Sequence, residues 1–298
     1  MGTIADKLTY LNGTKTAIKE AIKAKGVTVT DADTFRSYAT KIGEISGGGA
    51  PATKFGASID TWVGDVDENG TLNETTWTGA LNFSGVKALG EKALVQAFYG
   101  RSNVTSVDLS SLQTVGTNSM EETFRSCSHL TSADLSSLQT VGFEGMKSAF
   151  YGCTSLTSVD LSSLQTVGFN GMYQALGYTS LTSVDLSSLQ TVESYGLGAV
   201  FMNNTNLTSI DLSSLQSIGS YGMNSAFSGC KGLTAISFPA LTNVQTNSFG
   251  SSSSGGTFRN CTALTEIHFR ADMQATIEAM SQYANKWGAS SSTIYFDL

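Results

Sequence analysis

The string Asp-Leu-Ser-Ser-Leu-Gln begins at Asp108, Asp134, Asp160, Asp185 and Asp211, at intervals of 26, 26, 25 and 26 residues. A period this regular makes the chain an array of stacked units, each burying its apolar face only against its neighbours. Weaker copies flank the five. Leu81-Asn82-Phe83 lies one period before Asp108, and Ile236-Ser237-Phe238 one period after Asp211. Ile267-His268-Phe269 follows 31 residues later, the extra length fitting an inserted loop at Ser251–Gly256. Together these make about eight turns of about 26 residues.

Within residues 156–181 the apolar positions Leu156, Val159, Leu161 and Leu164 follow the pattern L-x-x-L-x-L-x-x-L. The alternation of Val159 and Leu161 predicts a strand, and Gly168–Leu176 reads as a short helix or helical turn. Two further ladders share the period. Leu94, Met120, Met146, Met172, Leu197 and Met223 form one; Phe98, Phe124, Phe150, Leu176, Phe201, Phe227 and Phe258 form the other. Stripes of this regularity read as stacked core, not as a cofactor box.

The four cysteines, Cys127, Cys153, Cys230 and Cys261, are spaced by 26, 77 and 31 residues, so no Cys-x-x-Cys pair suggests zinc or redox chemistry. All lie seven residues before the strand's Asp or its equivalent; Arg101, Tyr178 and Asn204 fill that position in other turns. They read as buried, reduced thiols, although stacking would bring Cys127 near Cys153 and leaves a disulfide open.

The leucine pattern, with Ala149-Phe150-Tyr151-Gly152-Cys153 and Ala226-Phe227-Ser228-Gly229-Cys230, resembles the BspA-like, Treponema-type leucine-rich repeat family over roughly residues 80–270. The resemblance implies an α/β repeat solenoid and a role in bacterial surface adhesion, binding host or matrix partners. The chain departs from the common form in using Asp-Leu-Ser-Ser-Leu where many members carry a proline-containing strand end.

The ends are different objects. Residues 1–46 predict a small helical segment: Ile4, Leu8 and Leu11 make one face, Ala17, Ile18, Ala21 and Ile22 a second, and Phe35, Tyr38, Ala39 and Ile42 a third. Charges scattered through Met1–Gly26 leave no apolar core for a secretory signal. The phrase over residues 3–42 resembles the N-terminal segment of tail-fibre and other virion proteins of phages of Gram-positive bacteria, which implies attachment or assembly. Residues 47–50 form a glycine-rich linker and 51–80 an N-terminal β cap. Asp65, Asp67 and Asn69 begin like a calcium loop, but Thr76 stands where a bidentate Glu is needed, so a plain turn is the stronger reading. The solenoid spans 81–270. Residues 271–298 read as a helix-plus-strand C-terminal cap, with Met273, Ile277, Met280 and Ala284 on one face, Trp287 over it and Thr293–Phe296 as a last strand.

Composition narrows the function. Seventeen Lys and Arg against 24 Asp and Glu give a net charge of −7, the wrong sign for a nucleic-acid partner. No apolar run approaches a membrane span. Charged residues are only 14% of the chain, so Ser, Thr, Asn and Gly must supply most of the polar surface. The two histidines, His129 and His268, stand far apart with no nucleophile and orienting group beside them, so neither an enzyme nor a cofactor is expected.

Two faces are candidate binding surfaces. Stacking places Asp108, Asp134, Asp160, Asp185 and Asp211 in a row on the strand face, among the hydroxyls equivalent to Thr157, Ser158, Ser162 and Ser163. That row suits a glycan, a cationic peptide or Ca²⁺, or is simply a solvated, hydroxyl-satisfied ladder. The return segments vary instead, and carry Phe143, Phe169, Tyr173, Tyr195 and Tyr221, either as contact residues or as packing between turns. The expectation is a virion protein of tail-fibre or receptor-binding type. It would bind a host cell-surface glycan or protein through the solenoid, meet other virion proteins through residues 1–46, and form a homo-oligomer, favouring a trimer. The alternatives are a bacterial surface adhesin or interaction scaffold, and a ligand-free decoration protein.

Overall fold

The computed structural model describes residues 54–55, 79–83, 86–250, 256–280 and 282–298. All belong to one unit, Ala52–Leu298. The helical segment 1–46, the linker, most of the N-terminal cap and the candidate calcium residues Asp65, Asp67 and Asn69 lie outside the described residues.

Seventeen strands are found among the described residues, in the order β1 (Lys54–Phe55), β2 (Gly79–Asn82), β3 (Ala88–Leu89), β4 (Val104–Asp108), β5 (Thr114–Val115), β6 (Ser132–Asp134), β7 (Thr140–Val141), β8 (Ser158–Asp160), β9 (Thr166–Val167), β10 (Ser183–Asp185), β11 (Thr191–Val192), β12 (Ser209–Asp211), β13 (Ser217–Ile218), β14 (Ala235–Phe238), β15 (Asn243–Val244), β16 (Glu266–Phe269) and β17 (Thr293–Phe296). The leucine pattern predicts one strand per turn; each full turn has two. The second is the β-branched pair that follows Leu-Gln, as in Thr140-Val141, whose Val is buried while its Thr faces out. These short strands make an unbroken eight-stranded parallel sheet from β1 to β15. The longer strands pair in three separate runs, β2-β4-β6-β8, β10-β12 and β14-β16-β17.

The return segments are not helical. Left-handed residues recur along them, at Lys92, Gln96 and Gly100 in one turn and at Asn118, Glu122 and Ser126 in the next. Each ends any α-helical run after three residues. Alternate amides then point along the axis instead of down a helix. The N–H groups of Lys92, Leu94, Gln96, Phe98 and Gly100 donate to Thr117, Ser119, Glu121, Thr123 and Arg125 of the next turn at 2.7–3.0 Å. Between them, Ala97, Tyr99 and Arg101 close tight turns onto the carbonyls three residues back. A helix would have consumed all these donors internally.

The predicted ladders form the core. Phe98, Phe124 and Phe150 stack at 5.2 and 5.3 Å between centroids; Leu176 interrupts the stack, and Phe201, Phe227 and Phe258 continue it at 5.6 and 5.9 Å. Met120, Met146, Met172 and Met223 are wholly buried beside it. The cysteines are free thiols. Cys127, Cys153, Cys230 and Cys261 donate to the carbonyls of Phe98, Phe124, Phe201 and Phe227 at 2.9–3.1 Å. Burial pushes the Cys127 thiol up to about 11 and the Cys261 thiol up to about 12.

Counting seven residues back from Asp185 puts Tyr178 in this cysteine ladder, and the structure corrects that. Tyr178 is left-handed and exposed, in the place of Gly152, while Thr179 is buried in the cysteine position. The single-residue deletion that makes this turn 25 residues long therefore falls after Thr179. Thr179 Oγ1 donates to Asn204 Oδ1 at 2.5 Å, and Asn204 Nδ2 donates to the Leu176 carbonyl at 2.7 Å. The polar pair thus takes over the bond that a thiol makes elsewhere.

At the C-terminus a 3-10 turn (Ala271–Met273) leads into helix α1 (Gln274–Glu278) and a second 3-10 segment (Tyr283–Gly288). Met273, Ile277, Met280 and Trp287 are buried as expected, with Trp287 against Phe249 at 4.9 Å. Ala284 is exposed, because left-handed Gln282 redirects the chain beyond the short helix. β17 then pairs with β16 in parallel, from Glu266↔Thr293 to Phe269↔Phe296.

Two substitutions test this account. A Cβ at Gly171 would lie 2.9 Å from both the Gly168 carbonyl and Val167 Cγ1. Gly171→Ala is expected to cost about 2 kcal/mol. Ser126 is exposed at φ 62°, where the equivalent residues are Gly100 and Gly152. Ser126→Gly is expected to add about 1 kcal/mol by removing left-handed strain. Denaturant midpoints of the two variants should move in opposite directions.

Candidate functional site

The long strands set the site. Parallel pairing without a register shift places Asp108 beside Asp134 and Asp134 beside Asp160, and Asp185 beside Asp211. The row of carboxylates is therefore real. Neighbouring strands lie about 4.8 Å apart, and at that spacing like charges repel by roughly 1 kcal/mol per pair in water. What holds them is local. The backbone N–H of Ser110, Ser136, Ser162, Ser187 and Ser213 each donates to Oδ1 of the Asp two residues before, at 2.8–3.0 Å. The Ser162 hydroxyl donates to the same oxygen of Asp160 at 2.7 Å. These Asx turns end each strand and start the bend toward the next short strand.

At Asp108 and Asp185 the donors outweigh the cost of burial. The hydroxyls of Ser110 and Ser187, and then their N–H groups, hold both carboxyls below the usual value. The row is thus partly a structural device of the turn.

The same face carries an open trough of about 790 Å³. Asp108, Asp134, Asp160 and Asp185 line it, with hydroxyls such as Ser132, Ser158 and Ser183 between them. Among the described residues no lysine, arginine or aromatic ring lines it. Asp211, the fifth predicted residue, lies beyond its edge. The trough crosses from β8 to β10, where the missing residue breaks the strand ladder.

The variable residues divide. Phe143, Phe169, Tyr195 and Tyr221 form one contiguous stripe, with centroids 5.4, 6.1 and 5.1 Å apart. Tyr173 is not part of it; its ring lies over the next turn, 2.7 Å from where a Gly198 Cβ would stand. Phe143 and Phe169 are exposed. A second aromatic group escaped sequence reading. The Arg125 guanidinium sits 4.9 Å from the Tyr151 ring and 6.0 Å from Tyr99, and Tyr178 packs on Tyr151. Its signal was present as one position per turn, 99, 125 and 151, but the fourth ring, Tyr178, stands one residue further on, in the place of Gly152.

His129 Nδ1 meets the Ser102 carbonyl at 2.7 Å. His268 lies between Glu266 and Asp297 and stacks on Tyr295. Among the described residues no three His, Cys, Asp or Glu side chains are grouped to hold a metal. Among them no helix is long and apolar enough to cross a membrane.

The family model for the BspA type leucine-rich repeat region matches in six copies, over residues 86–146 and 120–256. The match spans more than half of the chain. The chain belongs to this family. Similar solved structures include an internalin C2 from Listeria monocytogenes, 13% identical, with a TM-score of 0.33 over 64% of this chain and 77% of that one. A leucine-rich repeat protein from Eubacterium ventriosum is 16% identical, with a TM-score of 0.28 over 65% and 66%. TLR13 in its complex with ssRNA13 is 16% identical, with a TM-score of 0.24 over 71% and 36%. Superpositions this loose carry no weight; the repeat itself does. No curated protein matches the chain in sequence. BspA-type repeats are typically non-enzymatic scaffolds, and membership points to protein interaction or adhesion.

The carboxylate row predicts an acid response. Because Asp108 and Asp185 are held below their unfolded value, the stability they add is present above about pH 4 and is lost as pH falls below it. Thermal midpoints should fall between about pH 5 and pH 2. The double variant Asp108→Asn/Asp185→Asn should show a shallower fall.

Proposed function

We propose that this chain is a receptor-binding protein that engages a cell-surface glycan or protein along the strand face of its BspA-type solenoid. The observation that supports this is the trough across four turns, lined by carboxylates and hydroxyls and, among the described residues, by no cation. Its groups repeat with the turn, so they suit an extended ligand with many hydroxyl or amide partners running along the axis. Residues 1–46 would carry the module. Their resemblance to phage tail-fibre segments favours a virion protein that assembles through this segment as a homotrimer, with the solenoid reaching the host surface.

Binding of the fluorescent full chain to purified cell envelopes tests the first part. Asp134→Asn/Asp160→Asn/Asp185→Asn should weaken saturable binding at least about tenfold, by removing three of the four charges in the trough. Unchanged binding would sink the strand-face proposal.

Light scattering on the full chain tests the second part. A mass three times 31.3 kDa is expected. A monomer would remove the trimer and favour a lone adhesin.

A further inference from the structure

A second recognition point lies off the strand face, where the aromatic stripe opens. The three steps between the four rings of the stripe differ: Phe143 and Phe169 meet at 10°, Tyr195 and Tyr221 at 7°, but Phe169 and Tyr195 at 68°. Stacked rings cover each other's faces. Only at the Phe169–Tyr195 step does the stack turn edge-on.

The same step carries an exception in the backbone. Gly116, Gly142, Gly168 and Gly219 follow the short strands, and a Cβ at each would stand 2.7–3.2 Å from the backbone of the preceding turn. In the turn that follows the 25-residue one this position is Glu193, which is exposed. Its Oε2 accepts the N–H of Phe169 at 3.0 Å, which fixes the carboxylate beside the ring. Phe169 and Glu193 together line a hollow of about 420 Å³, completed by Ser194, Ser220 and Gln245. Among the described residues no lysine, arginine or histidine lines it.

We infer that this hollow binds a cationic side chain, an arginine presented by a partner protein. An aromatic face and an oriented carboxylate attract a flat cation together, the ring through its quadrupole and the carboxylate through charge-assisted hydrogen bonds. Ser194, Ser220 and Gln245 supply oxygens for the remaining guanidinium donors. The volume holds one guanidinium and its stem. The mutual stacking of the other rings leaves them little free face for sugars, so the charge complementarity selects a basic protein segment. This site is separate from the trough and does not depend on the receptor-binding reading.

The Phe169 amide, bonded to the carboxylate, is its own reporter. The ¹⁵N-labelled full chain would be titrated with N-acetyl-arginine amide and with the neutral isostere N-acetyl-citrulline amide. Saturable shifts at Phe169, Ser194 and Ser220 with the arginine probe alone are expected. Glu193→Gln should weaken them about tenfold, and Phe169→Leu should weaken them while keeping the charge. The triple Asn variant of the trough should leave them unchanged. Equal shifts with citrulline, or full binding by Glu193→Gln, would overturn the inference. Shifts lost only in the triple Asn variant would also overturn it, by moving the cation to the trough, and would leave the receptor-binding proposal standing.

Discussion

The structure depends on backbone hydrogen bonds that run along the axis from each turn to the next. The residue after each short strand shows this most plainly. The N–H groups of Gly116, Gly142, Gly168, Glu193 and Gly219 donate to Leu89, Val115, Val141, Val167 and Val192 at 2.8–3.0 Å. Such bonds form only if every turn presents the same groups at the same height, so the period of the sequence is a condition of folding. They also explain the glycines. At Gly116, Gly142, Gly168 and Gly219 a Cβ would stand only 2.7–3.2 Å from the backbone of the turn before, and Glu193 is the exception.

The 25-residue turn shows which part of that lattice is indispensable. Losing one residue after Thr179 leaves the short-strand sheet intact, with Thr191 still beside Thr166. The long-strand sheet breaks instead, between β8 and β10. The short strands lie next to the glycine approach and have no slack. The long strands are reached through a loop that can shorten. The cost inside the core is met by exchange of chemistry: Leu176 for a phenylalanine, and a Thr179–Asn204 pair for two thiols.

Both recognition surfaces follow from this lattice. Identical strands stacked in register multiply one Asp into a row, and the Asx turns that terminate the strands also orient its carboxylates. The surface is thus a by-product of repetition, with hydroxyls and N–H donors making a like-charge ladder tolerable. The other surface arises where repetition fails. Glu193 and the edge-on meeting of Phe169 and Tyr195 both lie where the shortened turn meets its neighbours.

The sequence by itself determined the solenoid, its period, its core ladders and the row of aspartates, because a residue repeated once per turn has only one place to go in a stacked array. It also placed the shorter turn. It did not show that each turn holds two strands, since a two-residue strand such as Thr140-Val141 exists only through its neighbours' hydrogen bonds. Nor did it show that the return segments are turns, because the left-handed residues there include Glu122 and Tyr195, which carry no local mark of that geometry. Only the tertiary structure decided that Thr179 replaces Tyr178 in the core, that Asp211 lies outside the trough, and that Tyr173 leaves the aromatic stripe. The first depends on how one missing residue is absorbed, and all three are settled by packing between turns that are distant in sequence.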